Sequence, residues 1–397
     1  VFVEPQFREL SFAFERNNCM HRRTWMQSIA AGSIVALTGC HRTNSQFQNP
    51  SISAKEGMPA ISASSSPYIR WRMATSWPKS LEIAFGTAAK ICQLVSLMTN
   101  GRFAITPYAA GEVVPGLEVL HGLRSGTVEC GHTASYYYTD RNPALAFGTS
   151  VPFGFNAQQQ NAWLYGGGGL ELMQRLYADF GVITFPAGNT GAQMGGWFQK
   201  PIQSLADLQG LKMRIPGLGG QVMARLGVET LTLAGDEVFP ALASGKIDAA
   251  EWVGPHEDER LGLYKIASYY YYPGWWEPGT TYELQVSRAA WNKLPGEYQE
   301  ILKAAAMVAN MDMLARYEAA NGEALYRLLL GNVQLKEYSP EILQAARQEA
   351  WDLYADIARG NATFKQVYEQ WRSYRKQILQ WHRINELSFA RFAFAKV

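Results

Sequence analysis

The sequence predicts an α/β fold of two similar lobes followed by a helical C-terminal extension. Three observations predict it. Residues 70–130 and 211–250 each alternate strand and helix in an order that yields a parallel sheet. The two stretches share a local signature, Leu123-Arg124-Ser125-Gly126-Thr127-Val128-Glu129-Cys130-Gly131 against Leu242-Ala243-Ser244-Gly245-Lys246-Ile247-Asp248-Ala249-Ala250. From Leu294 onward the chain turns to long runs of Ala, Leu, Met, Glu and Arg.

In the first stretch, residues 70–75 read as a strand. Leu81, Phe85, Ala88, Cys92 and Val95 then recur at spacings of four and three, the stripe of an amphipathic helix. Residues 103–106 read as the second strand, 116–124 as a helix and 128–130 as the third strand. In the second stretch, 211–215, 229–233 and 247–250 read as strands, with helices over 219–226 and 236–243. Gly126 and Gly245 follow helices, where the left-handed cap conformation suits glycine. Ligands of open α/β lobes sit outside the carboxyl ends of the strands. Here those ends are Glu251-Trp252 in the second lobe and His132 followed by Tyr136, Tyr137 and Tyr138 in the first. Residues 294–330 read as helical, and Thr363 is placed to cap a last helix. Along it Phe364, Val367, Trp371, Tyr374, Ile378 and Trp381 form a stripe too long and aromatic to be left in water, so it packs on the body or on another subunit.

The 397 residues carry a formal net charge of +2, which gives no basic field to steer the chain onto nucleic acid. Nothing in the sequence reaches about 20 consecutive apolar residues, so no segment of the mature chain reads as a membrane span. Near the N-terminus, Arg22-Arg23 precede a short apolar run ending at Leu37-Thr38-Gly39-Cys40. This reads as a twin-arginine export signal closed by a lipobox, with Cys40 the site of lipidation. Met20 sits just before the arginines, so translation is expected to start there rather than at Val1. Residues 41–67, rich in Ser, Asn, Gln, Pro and Ala, read as a flexible tether. Cys92 and Cys130 read as two buried thiols ahead of a disulfide. The expected division is 1–40 signal, 41–67 tether, 68–187 first lobe with part of 280–330, 188–279 second lobe, and 331–397 C-terminal helices that serve dimerisation.

Arg214 lies near the end of the strand read over 211–215 and precedes Pro216 and a glycine run, which allows a close backbone approach. Its planar fork suits a carboxylate, and the simpler reading is a solvated surface arginine. Glu251 ends a buried-looking strand. It needs a partner there, either a hard cation or an arginine such as Arg260. His132 and Tyr269–Tyr272 read as core. The sequence holds no Gly-x-Ser-x-Gly elbow, no His-Glu-x-x-His and no phosphate loop at Gly166–Gly169.

The runs 188–198 (Gly-Asn-Thr-Gly-Ala-Gln-Met-Gly-Gly-Trp-Phe), 211–220 (Leu-Lys-Met-Arg-Ile-Pro-Gly-Leu-Gly-Gly), 250–255 (Ala-Glu-Trp-Val-Gly-Pro) and 272–279 (Tyr-Pro-Gly-Trp-Trp-Glu-Pro-Gly) resemble, in order, the solute-binding subunits of TRAP transporters, the DctP family. The resemblance is strongest to the branch that binds 2-oxo acids. It implies a two-lobe periplasmic-binding-protein clamp, no enzymatic activity, and a small organic carboxylate held with a sodium or calcium ion. Arg214 would grip the carboxylate. Gln193, Glu251, Trp252 (through its backbone carbonyl) and Glu277 would surround the cation, and Gln193, Tyr136 and Tyr137 would touch the ligand. It further implies delivery to TRAP membrane subunits, a homodimer with exchanged C-terminal helices, and a periplasmic lipoprotein anchored through Cys40. The alternatives are a lactate-type 2-hydroxy-acid receptor, an amino-acid receptor of the ABC type, or an exported enzyme acting on a carboxylate.

Overall fold

The computed structural model describes residues 67–395. The export signal, Cys40 and all but the last residue of the expected tether lie outside the described residues. The first lobe opens with β1 (Ile69–Thr75), α1 (Glu82–Met98), β2 (Phe103–Tyr108), α2 (Val119–Arg124) and β3 (Cys130–Thr133). Both β2 and β3 pair with β1 in parallel, as the βαβ order requires. The third strand starts later than the sequence suggested. Glu129 turns its carboxylate onto the Arg72 backbone N–H at 2.7 Å, so a side chain takes the place of a ladder bond there. The chain then runs through a 3-10 turn, Ser135–Tyr138, and α3 (Ala146–Thr149), α4 (Ala157–Gly166) and α5 (Gly169–Ala178) to β4 (Val182–Asn189).

After Asn189 the chain builds the second lobe from β5 (Trp197–Phe198), β6 (Lys212–Arg214), α6 (Gly217–Arg225), β7 (Glu229–Leu231), α7 (Gly235–Ala243), β8 (Ala249–Ala250), α8 (Pro255–Leu261) and β9 (Tyr269–Tyr272). It returns to the first sheet through β10 (Thr281–Ser287), then continues into α9 (Arg288–Trp291) and α10 (Gly296–Leu330). The strand orders are β2-β1-β3-β10-β4 and β11-β9-β5-β8-β6-β7, where β11 is Gln334–Glu337. Neither sheet is wholly parallel. β10 lies antiparallel between β3 and β4, and β5 lies antiparallel between β8 and β9, because these strands are entered by direct crossings between lobes rather than by crossover helices. β11 joins the second sheet, so the C-terminal region begins with a strand. The long helix α10 packs on β4 and α1 of the first lobe and on α8 of the second.

The C-terminal region ends in α11 (Pro340–Gly360), α12 (Ala362–Ile384) and α13 (Glu386–Ala393). The cap of α12 is Asn361, whose side chain accepts the Phe364 N–H, and not Thr363. Asn361 stands at the extended residue before the helix, where a short side-chain oxygen reaches the free N–H groups. Phe364, Val367 and Trp371 are buried on this chain's own body, against Phe147, Phe155 and Trp163. Further along the stripe, Trp381 is 57% exposed. The Gly166–Gly169 run has a packing role. A Cβ on Gly167 would stand 2.6 Å from the Tyr374 ring, and one on Gly169 2.5 Å from Trp163. Cys92 and Cys130 are free, buried thiols. Among the described residues no helix is long and apolar enough to cross a membrane.

Candidate ligand-binding site

Arg214 is the last residue of β6, and β8 is its parallel neighbour with Arg214 opposite Ala250. Glu251 is the next residue along. Adjacent strands run about 4.8 Å apart, so the fold delivers the two side chains to one point at the carboxyl edge of the second sheet. Each is 1% exposed, and Arg214 Nη1 donates to the Glu251 carboxylate. The same nitrogen donates to the Glu251 carbonyl at 3.1 Å, and Nε donates to the Leu233 carbonyl at 3.2 Å. The guanidinium lies 4.7 Å over the Trp252 ring. Nη2 is buried without a partner. Arg214 is therefore no surface arginine. Glu251 does have an arginine partner, but it is Arg214; Arg260 pairs with Glu82 instead.

The crossing segments supply the second part of the site. Gln193 N–H donates to the Glu277 carbonyl at 3.1 Å, and Gly274 N–H donates to the Gln193 carbonyl at 3.1 Å. This stitches the outgoing and returning chains together. Thr280 Oγ1 donates to the Glu277 carboxylate at 2.8 Å, and Gln193 Nε2 donates to Thr190 Oγ1 at 3.3 Å. The Gln193 Oε1 acceptor is buried and unpartnered. Burial pushes Glu277 up to about 7, against the bond from Thr280 and the Arg214 charge. Burial also raises Glu251 well above the ordinary carboxylate range, with Glu277 adding to the rise and Arg214 opposing it. Two carboxylates and one guanidinium thus share a dry space.

The first lobe contributes Tyr136 and Tyr137, in the turn directly after β3. Both phenols are raised by burial, Tyr136 next by the Glu277 carboxylate, while the Arg214 guanidinium opposes the rise at Tyr137. Tyr136 packs on Gly217, where an added Cβ would stand 2.9 Å from the Tyr136 Cβ. Trp77, Tyr136 and Tyr282 of the first lobe and Trp197, Trp252 and Tyr270 of the second belong to one apolar cluster that joins the lobes. His132 is core, accepting from Trp77 Nε1 at 2.8 Å, and burial lowers it to about 4. Tyr270 and Tyr271 are likewise buried in core.

Arg214, Gln193, Glu251, Trp252, Glu277, Tyr136 and Tyr137 are thus brought together, whereas His132, Tyr270 and Tyr271 are core and Arg260 pairs with Glu82. Sequence reasoning missed Leu233, Thr280, Glu257 and Asp258. Leu233 acts through a carbonyl, which carries no side-chain signal. Glu257 and Asp258 sit in Pro-His-Glu-Asp-Glu-Arg, which reads as a solvated acidic helix start, yet both are buried. Among the described residues no group of three or more His, Cys, Asp or Glu forms a metal cluster.

The model of bacterial extracellular solute-binding protein family 7 (DctP) matches residues 73–361. A monocarboxylate 2-oxoacid-binding periplasmic protein of Nostoc sp. is 58% identical over 375 residues, covering 94% of this chain and 99% of the relative. A TRAP transporter solute-binding protein of Bordetella bronchiseptica superposes with a TM-score of 0.82 at 41% identity, covering 83% of this chain and 98% of that one. Its crystal structure is a mixed-occupancy dimer with calcium and picolinate in one site. A TRAP periplasmic solute-binding protein of Pseudoalteromonas atlantica, with bound sodium and pyruvate, gives a TM-score of 0.79 at 37% identity over 81% of this chain and 98% of its own. On fold, matched length and identity alike, this chain belongs to bacterial extracellular solute-binding protein family 7, the DctP family of TRAP-transporter solute-binding proteins.

Proposed function

We propose that this chain captures a small 2-oxo monocarboxylate of the pyruvate class together with a hard cation and delivers it unchanged to TRAP membrane subunits. The carrying observation is the pair of orphaned polar atoms beside two buried carboxylates: the donor Arg214 Nη2 and the acceptor Gln193 Oε1. Leaving such groups unpaired in the interior costs about 1–3 kcal/mol each. A ligand carboxylate suits the donor. A sodium or calcium ion suits the acceptor, with Glu251, Glu277 and the Trp252 carbonyl completing the oxygen set, and it would supply positive charge against the carboxylates and an anchor for ligand oxygens. Arg214 holds Glu251 through Nη1, so only Nη2 is free in this arrangement. Where Glu251 turns its carboxylate to the oxygen set instead, Nη1 and Nη2 together present the two-bond fork. Cation and acid are therefore expected to bind with positive coupling. Tyr136 and Tyr137 close over the ligand from the first lobe.

Calorimetry with pyruvate, other 2-oxo acids, lactate and amino acids, with and without calcium or sodium, tests this. Pyruvate is expected to bind stoichiometrically, more tightly with cation, and to be recovered intact. Arg214→Ala should lose about 3 kcal/mol, roughly a hundredfold in affinity. Wild-type affinity in that variant, or turnover of the acid, would overturn the reading; tighter binding of lactate would move it to 2-hydroxy acids. A first lobe of 68–187 with part of 280–330, a second of 188–279, export by the twin-arginine route and lipid on Cys40 belong to the same reading, and lipid labelling of wild type against Cys40→Ala checks the anchor. Homodimerisation through 331–397 is supported by exposed Trp381, Ile384, Leu387, Phe389, Phe392 and Phe394, and is checked by light scattering.

A further inference from the structure

We propose that Glu257 is a positioning residue for ligand capture: carried by the second lobe, its carboxyl docks on the start of a first-lobe helix and holds the lobes shut over the Arg214 site. This rests on the two-lobe capture proposed above and adds the group that governs closure.

Two neighbouring residues of α8 face opposite lobes. Asp258 Oδ1 accepts from the Val253 and Gly254 N–H groups at 3.1 and 3.0 Å. Its Oδ2 accepts from Trp197 Nε1 and Tyr270 OH, both at 2.8 Å. Every one of these partners belongs to the second lobe, so Asp258 fixes α8 there. Glu257 Oε1 accepts from the Ile83 and Ala84 N–H groups at 3.0 and 3.2 Å and from Tyr317 OH on α10 at 3.2 Å. The first turn of α1 has no cap of its own. Its N-cap position is Leu81, whose side chain makes no capping bond. The N–H groups that a helix start always leaves free are therefore satisfied across the lobe boundary. Glu257 is fully buried in this arrangement, and the half-exposed pair Arg260–Glu82 flanks it. Parting the lobes hands the helix start and the carboxyl back to water.

The choice of a carboxyl over an amide gives the contact a pH response. Glu257 Oε2 is buried without a partner, and burial pushes the group up to about 7 against the bonds from Ala84, Ile83 and Tyr317. The charged and titratable groups around it are His256, Asp258 and Arg260 on its own helix, Glu82 on α1, Arg316 and Tyr317 on α10, and Tyr282 on β10. With the lobes apart the carboxyl faces water and returns toward the ordinary range. A group raised on closing favours closure fully below its open-state value, and that contribution is lost as pH rises through about 7.

The test measures pyruvate affinity and dissociation rate in saturating calcium for wild type, Glu257→Gln and Glu257→Ala, between about pH 5.5 and about pH 8. Glu257→Ala should bind about tenfold more weakly, mainly by faster release. Glu257→Gln keeps the acceptor, so it should bind at least as tightly as wild type near pH 8 and with a flatter pH profile. Wild-type affinity in Glu257→Ala, or a Glu257→Gln profile that superimposes on wild type, overturns the proposal. Failure of wild type to bind any 2-oxo acid overturns the functional reading instead. In that event small-angle scattering of the unliganded proteins decides: wild type should expand with rising pH and Glu257→Gln should not, and equal radii would sink the latch.

Discussion

Glu283 sits on β10 between β3 and β4 and is buried. Tyr177 OH donates to both its oxygens at 2.8 Å, Thr184 Oγ1 donates at 3.1 Å, and Ser135 Oγ donates as well. Ser135 begins the turn that carries Tyr136 and Tyr137, so this carboxyl anchors the first-lobe side of the site. Burial raises it to about 7, with the bonds from Ser135 and Tyr177 opposing. The raised group stabilises the fold fully below its unfolded value, and the contribution fades as pH climbs through about 7. Thermal unfolding is therefore expected to drop in midpoint from about pH 5 to about pH 8, with a shallower drop in Glu283→Gln; equal slopes would contradict the assignment. Nothing in Thr-Tyr-Glu-Leu-Gln-Val-Ser announces this, because alternation there reads as a strand with one wet face. Arg214 and Glu251 were legible because Arg214 lies near the end of the strand predicted at 211–215 and Glu251 directly follows the one predicted at 247–250, so both fall at a carboxyl edge. Their mutual ion pair was not, since it depends on the β6–β8 register.

The same divide separates helices from their ends and strands from their lengths. The stripes of α1 and α12 were legible because 3.6-residue periodicity survives any tertiary context. The short strands of the second lobe, two or three residues each, are fixed by pairing partners distant in sequence. Asn361 and Thr363 are both acceptable caps by composition, and only backbone geometry selects Asn361. Removing that cap in Asn361→Ala should cost about 1 kcal/mol. Trp371 packs on Phe147, Phe155 and Tyr368, and Trp371→Ala should cost about 3–5 kcal/mol. Denaturant unfolding checks both. A cost at Trp371 no larger than at Asn361 would mean that this ring does not hold α12 in place.

Closure of the molecule depends on surfaces that meet across the lobes, and one contact there has no room to spare. Gly217 opens α6 with φ of 64°, a left-handed conformation that disfavours side chains, and its α-carbon faces Tyr136 of the other lobe. A side chain at this position meets two penalties of different kinds. The backbone strain, about 1–2 kcal/mol, is local and acts whether the lobes are open or closed. The collision with Tyr136 exists only when the lobes close. Gly217→Val should therefore lower the unfolding midpoint modestly but weaken ligand binding by about tenfold or more, since part of the binding free energy must displace Tyr136. Tyr136→Ala in the Gly217→Val background should restore compaction, because the obstructing ring is gone, although it also removes a ligand contact. Small-angle scattering with saturating pyruvate and calcium separates these effects. Wild type is expected to compact, Gly217→Val to stay expanded, and the double variant to compact again. Compaction of Gly217→Val to the wild-type radius would show that this contact does not gate closure.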